Sequence, residues 1–228
     1  MTACRSRLLV LDPSANHPEV EGAQVVIGDW PGKATVLTPV LRRSQMPGPG
    51  EGYDSAGIVL MGSAASVHDR EPWLERLSAW LAPVIRGDVP IPLLGICFGH
   101  QLIAHLAGGR VGYLNAEREK LVGVQVTPLR ESRLLPGEDS LRVVVSHREA
   151  VTAPPAGFRV TASRPDSKTD GLEHETLPLF SCQFHPEART EFAVSAGIEP
   201  ALIDDEVREQ SSAYLSAFRR LCILGTGT

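Results

Sequence analysis

The chain has 228 residues, 43% hydrophobic and 21% charged, with 22 Lys and Arg against 27 Asp and Glu for a net charge of −5. At roughly 150 residues per domain, that is one large domain or a domain with an appendage, able to bury its own core and neither disordered nor fibrous. No basic block stands out, so neither nucleic acid nor a polybasic membrane contact is expected.

Met1 to Asp12 carries Arg5, Arg7 and a short apolar run, far too short for a signal segment or a membrane span, so a cytoplasmic protein is expected. The four cysteines, Cys4, Cys97, Cys182 and Cys222, form no C-x-x-C pair. Neither a zinc knuckle nor a disulfide framework is predicted.

Arg7–Asp12 reads as a short buried strand, and Ala34–Thr38 as a second. The Pro- and Gly-rich stretch 13–33 gives no clear period and is read as loop with a short helix. Pro47 to Gly52 is a strong loop signal. Gly57–Met61 is a third strand. A helix should follow, capped by Asp69, with Trp73, Leu77, Trp80 or Leu81, and Val84 at helical spacing and Pro83 kinking or ending it. Ile91–Ile96 is a strand, and Gly99–Ala107 a helix closed by Gly108-Gly109. This order predicts an α/β fold with an open, mostly parallel sheet flanked by helices. The second half, with strands at 122–127, 141–145, 158–162 and 179–184, reads as a smaller antiparallel portion. Asp204–Leu221 reads as a helix with acidic residues at its start and Arg219-Arg220 at its end, complementing the dipole.

Gly95-Ile-Cys-Phe-Gly-His-Gln101 is the sharpest feature. A strand runs into Cys97 and a helix begins just after it. Glycines two residues before and after permit a tight strand-to-helix turn that exposes the central side chain at the carboxyl edge of the sheet. The helix N-terminus favours thiolate at Cys97, and the Phe98 N–H is free to hold an oxyanion.

A cysteine nucleophile needs a base. Of seven histidines, His185 ends the run Phe180–Phe184 and precedes Pro186 and Glu187. Pro186 biases His185 toward extended backbone, in which Glu187 projects to the same side and can hold the ring tautomer. His100 and His105 are five apart, not at a helical metal-ligand spacing, and no metal site is expected. His147 reads equally well as a satisfied structural histidine. Cys182 should lie on the opposite strand face from the His185 ring, in the core.

Gly95–Gln101 together with Gln183-Phe-His-Pro-Glu187 resembles the class I, triad-type glutamine amidotransferases, in their stand-alone, GMP-synthase-like branch. Gly57–Ser63 resembles the strand and oxyanion loop, Gly108–Val111 with Glu117–Val126 the stretch after the nucleophile helix, and Val145–Val151 the segment that contacts glutamine. The resemblance runs from about residue 7 to 190. It implies a flavodoxin-like amidotransferase domain over 1–190, with 191–228 as a helical extension packed on it.

It also implies roles. Cys97 attacks the glutamine side-chain amide to give a γ-glutamyl thioester and ammonia, with hydrolysis to glutamate. His185 moves protons and Glu187 orients it. Main-chain N–H groups of Phe98 and Ser63 hold the oxyanion. Gln101, Ser146 and His147 contact glutamine, and no cofactor or metal is used. Where many relatives have a glycine-rich turn, this chain reads Gly62-Ser63-Ala64, which predicts a strained backbone at Ser63. No ATP-binding synthetase domain is legible, so the partner expected is a separate ammonia-accepting synthetase. The alternatives are a γ-glutamyl amide or peptide hydrolase on the same scaffold, and a non-catalytic regulatory subunit.

Overall fold

The computed structural model describes residues 7–225. Cys4 lies outside them. Every residue of β1 (Leu8–Leu11), β3 (Gly57–Leu60), β4 (Leu93–Ile96) and β11 (Leu179–Cys182) is buried. Runs so apolar need cover on both faces, and they form the centre of a seven-stranded sheet. Its order is β2-β1-β3-β4-β11-β10-β9, where β2 is Ala34–Leu37, β9 Phe158–Ala162 and β10 Gly171–His174. The strands from β2 to β11 are parallel, and β10 and β9 add an antiparallel edge.

Strand alternation splits the core in two. Leu8, Val10, Val59, Leu94, Ile96 and Phe180 face one layer, with α1 (Val20–Ile27) and α5 (Asp205–Leu224). Leu9, Leu11, Ile58, Leu60 and Leu93 face the other, with α2 (Pro72–Ile85) and α3 (Phe98–Leu106). Two antiparallel ribbons complete the domain: β6 (Leu121–Pro128) with β7 (Ser140–His147), and β5 (Arg110–Tyr113) with β8 (Glu149–Ala153). β5, β8, β10 and the short α4 (Thr190–Ala196) carry no period that a sequence pattern could show.

Four expectations change in detail. β11 belongs to the parallel set, paired Leu94↔Phe180 with β4, although its neighbours in sequence are antiparallel. Asp69 does not cap α2. Its carboxylate accepts the Ser66 N–H at 2.8 Å in the preceding loop, and the helix starts at Pro72, whose fixed φ suits the first turn. Pro83 does not end α2, which runs on to Ile85. α5 continues past the two arginines to Leu224, so neither sits in its last turn. Arg219 instead reaches sideways to Asp29 at 3.0 Å and the Val26 carbonyl at 3.2 Å, tying α5 to α1. The N-terminus of α5 is as predicted: Asp204 accepts the Val207 N–H at 3.0 Å. Tyr214, Leu215, Phe218 and Cys222 of α5 are buried in the same core layer as β1 and β3, so residues after 190 share the core of those before.

No helix among the described residues is long and apolar enough to cross a membrane.

Candidate active site

The carboxyl ends of β1, β3, β4 and β11 meet at one edge of the sheet, where open α/β folds place their sites. β4 ends at Ile96 and α3 begins at Phe98, so Cys97 alone makes the turn. Its backbone sits at φ 51°, ψ −100°, a conformation that costs a non-glycine residue roughly 1–3 kcal/mol. Two main-chain bonds hold it: the Cys97 N–H donates to the Cys182 carbonyl at 2.8 Å, and the Cys97 carbonyl accepts the Gln101 N–H at 3.0 Å. The flanking glycines answer a close approach. A Cβ on Gly95 would lie 2.6 Å from the Gly99 main chain, and one on Gly99 would run into the Leu60 carbonyl.

His185 is anchored by its N–H to the Val144 carbonyl at 2.8 Å. Its Nδ1 lies 2.8 Å from Glu187 Oε1. The pairing arises in a turn, closed by the Ala188 N–H donating to the His185 carbonyl at 3.2 Å, rather than in the extended run predicted. A Cβ on Gly62 would fall 3.1 Å from His185 Cε1 and 3.7 Å from Cys97 Cβ, so the ring and the cysteine pack about one point. His185 Nε2 has no hydrogen-bond partner among the described residues and is the nitrogen left for Cys97. Burial opposes charge on this ring, but the Cys97 thiolate and the Glu187 carboxylate outweigh it and raise its pKa to about 10. Phe192 of α4 covers the ring at 4.4 Å between centroids.

Ser63 follows β3. Among the described residues only Cys97, Arg118 and Glu131 are non-glycines with positive φ, so the strain expected at Ser63 is absent. Its Oγ donates to the Pro13 carbonyl at 2.9 Å and accepts the Ala65 N–H at 3.2 Å, fastening two loops together. Phe98, the first residue of α3, has an N–H without an intrahelical acceptor.

Gln101 Nε2 donates to the Glu149 carbonyl at 2.7 Å and to Gln183 Oε1 at 3.1 Å. Both its N–H groups are used, so only Oε1 remains to accept from a substrate donor. The fully buried Gln183 passes the chain on: its Nε2 donates to Cys97 Sγ at 3.5 Å. Sequence reasoning missed Gln183, although it opens the run that contains His185 and Glu187.

Ser146 and His147 border the cavity, but the His147 ring is engaged elsewhere. Its Nδ1–H donates to the Glu149 carbonyl at 3.0 Å, and Nε2 accepts from Arg164 at 3.4 Å. Arg164 is itself paired with buried Asp170 at 2.7 Å. Burial lowers the His147 pKa to about 4, and the ring is neutral. A direct contact of this ring with glutamine is therefore not supported. His100 is a core histidine, bonded through Nδ1 to Ser181 Oγ at 2.8 Å and through Nε2 to the Thr169 carbonyl at 3.1 Å. Cys182 is fully buried, with Sγ donating to the Phe184 carbonyl at 3.4 Å. The described cysteines, Cys97, Cys182 and Cys222, are free thiols.

These groups open onto one cavity of about 480 Å³. Cys97, Gln101 and His185 line it. Lys120, Arg148, Glu19 and Phe192 also border it, with Glu19 near His185 and Lys120 near Cys97 and Arg148. Sequence reasoning assigns none of these four a role of its own, although Lys120 and Arg148 lie in segments that carry the resemblance. No group of three or more His, Cys, Asp or Glu among the described residues could hold a metal ion. A buried thiol, an imidazole oriented by a carboxylate and free main-chain donors at a helix start can together perform acyl transfer from an amide.

Residues 44–199 match the family model "Glutamine amidotransferase class-I". The chain is similar to one subunit of the glutamine-hydrolyzing GMP synthase of Methanosphaera stadtmanae, 33% identical over 140 residues, covering 61% of this chain and 69% of that protein. It is also similar to the glutamine-hydrolyzing GMP synthase of Gibberella zeae, 35% identical over 141 residues, where the match covers 60% of this chain but only 24% of that protein. In fold it resembles a glutamine amidotransferase of Thermotoga maritima, with a TM-score of 0.75 at 16% identity over 98% of this chain and 99% of that one. The chain belongs to the class I glutamine amidotransferases and is an enzyme of their cysteine-dependent, glutaminase type.

Proposed function

We propose that Cys97, His185 and Glu187 are the catalytic residues of this amidotransferase and that free glutamine is the substrate. One observation carries the reading: the elbow cysteine and the Glu187-bound His185 pack about Gly62 and line a single cavity. Cys97 Sγ attacks the side-chain carbonyl carbon. The N–H groups of Phe98 and Ser63 take the oxyanion. The His185 imidazolium gives its proton to the leaving nitrogen, and ammonia departs as the γ-glutamyl thioester forms. Water then attacks the thioester with His185 as base, and glutamate leaves. Gln101 Oε1 is the acceptor offered to a donor on the substrate.

The likeness to one subunit of a GMP synthase supports a separate synthetase as the consumer of the ammonia. In this reading residues 1–190 are the amidotransferase domain, 191–228 extend its core, and the protein works in the cytoplasm.

The test is release of ammonia and glutamate from glutamine by the purified protein, beside a Cys97→Ala variant. Cys97-dependent release supports the reading. A glutamine-mimicking electrophile should label Cys97 and nothing else. Absence of both turnover and labelling would favour a non-catalytic role.

A further inference from the structure

We propose that this cavity also cleaves γ-glutamyl amides whose leaving amine is a cation, such as the mono-γ-glutamyl amide of a diamine. The proposal rests on the reading of Cys97 as nucleophile and His185 as proton donor.

The leaving amine must take a proton from His185, so it departs on the His185 side of Cys97. Glu19, in the loop after β1, and Phe192, in α4, both line the cavity near His185. The Glu19 main chain is fixed, its N–H donating to Asp12 Oδ2 at 2.8 Å. Its half-buried carboxylate makes no hydrogen bond or ion pair among the described residues. Burial, and then the nearby Asp12 carboxylate, raise its pKa and outweigh the His17 and His185 rings, which lower it.

No neighbouring cation forms an ion pair with this carboxylate among the described residues. Arg189 donates to the Pro186 and Ala188 carbonyls and to Ser212, and His185 is held by Glu187. The remaining basic group alongside, among the described residues, is the exposed His17. A carboxylate in this setting is relieved by a bound cation, and the Phe192 ring, which lines the same cavity against His185, suits an alkylammonium.

The same cavity also carries basic groups. Leu121 pairs with His147 in the β6–β7 ribbon, which places Lys120 and Arg148 together at its end. Both border the cavity and neither has an ion pair among the described residues. They suit the α-carboxylate of the γ-glutamyl head. The cavity therefore carries a basic pair, Lys120 and Arg148, and an acidic group, Glu19. Glutamine, whose leaving group is ammonia, engages only the first. A γ-glutamyl diamine engages both. Its chemistry balances as for glutamine: Sγ displaces the amine, His185 protonates it, and water returns glutamate and the free thiol. The distal ammonium stays charged throughout.

The experiment compares kcat/KM for three γ-glutamyl amides of similar length. Their amines are 1,4-diaminobutane (cationic), n-pentylamine (neutral) and 4-aminobutanoate (anionic), with glutamine alongside. We expect the cationic amide to be favoured over the neutral one by about tenfold and the anionic one to be poorest. Glu19→Gln should bring the cationic-to-neutral ratio near one, and a ratio within one variant cancels any loss common to both. In the unaltered protein, 0.5 M NaCl should narrow the same ratio. Equal rates for cationic and neutral amides would overturn the proposal. So would glutamine hydrolysis with no extended amide accepted, or a preference that survives Glu19→Gln. If neither glutamine nor any amide turns over and Cys97 resists the electrophile, the nucleophile reading fails first and takes this one with it.

Discussion

Gln183 Nε2 points at Cys97 Sγ from 3.5 Å, and its amide is held in that sense by Gln101 Nε2 donating to Gln183 Oε1 at 3.1 Å. A buried carboxamide locked this way is a fixed donor to the sulfur. A hydrogen bond to a charged group contributes roughly 1.5–3 kcal/mol. We expect Gln183→Leu to lower kcat by about 10–100-fold and to slow alkylation of Cys97 at pH 7 by a similar factor. Gln183→Glu replaces the donor with an acceptor and should be worse. Full activity in both variants would show that Gln183 only fills space.

His185 should be a standing imidazolium. With its pKa raised to about 10, the ring remains charged at pH 8 even though it is buried. The Cys97 thiolate is the first of the causes that raise it, and the Glu187 carboxylate the second. Nitrogen-15 spectra should therefore show a charged ring at pH 8 in the native protein and a lowered pKa in Cys97→Ala. Glu187→Gln should also lower it, and should reduce kcat by roughly 10²–10⁴ by loosening the ring tautomer. A ring that is neutral at pH 8 in the native protein would rule out the ion pair.

How much of this is legible in the sequence depends on range. The cysteine elbow is a local object, since Gly95, Cys97 and Gly99 lie within five residues and their spacing is the geometry. His185 and Glu187 are two apart, so their contact is readable, though the turn that makes it is not. The central strands follow from apolar runs, because a strand buried on both faces has little choice of composition. What stays hidden depends on contacts between distant residues. The His147 ring turns inward because Arg164 and Asp170, 17 and more residues away, supply its partner. Glu19, Lys120 and Arg148 look like ordinary surface charges until the fold places them around one cavity. Gln183 is the exception, because it stands within two residues of His185 and carries an amide too unreactive to draw notice beside an imidazole.

Gly99 should be intolerant of even one methyl group. Its Cβ would meet the carbonyl of Leu60, at the end of a fully buried strand, and neither partner is a flexible side chain. Overpacking of this kind costs about 1–3 kcal/mol. Leu60 lies three residues before Ser63, so relief of the clash also displaces a proposed oxyanion donor. We expect Gly99→Ala to lose stability in denaturant unfolding and to lose kcat beyond what its folded fraction accounts for. Stability within about 0.5 kcal/mol of the native protein would show that α3 shifts freely and that the elbow is not tight.

The neutral core histidines set an acid limit on stability. Burial is the leading cause that lowers the pKa of both His100 and His147 to about 4. In the unfolded chain each ring titrates near its ordinary value of about 6.5. As pH falls below about 6.5 the unfolded chain binds protons that the native protein refuses until about pH 4. Stability from this source is therefore complete above pH 6.5 and is lost progressively as the pH falls toward 4. The loss is on the order of 3 kcal/mol per ring. Thermal unfolding should show the melting temperature dropping across that interval. Imidazole spectra at pH 5 should show both rings still neutral in the folded protein, His100 with its partners Ser181 and Thr169 and His147 with Arg164. A ring that charged near pH 6.5 without unfolding would mean that its site is wetter than the packing around it allows.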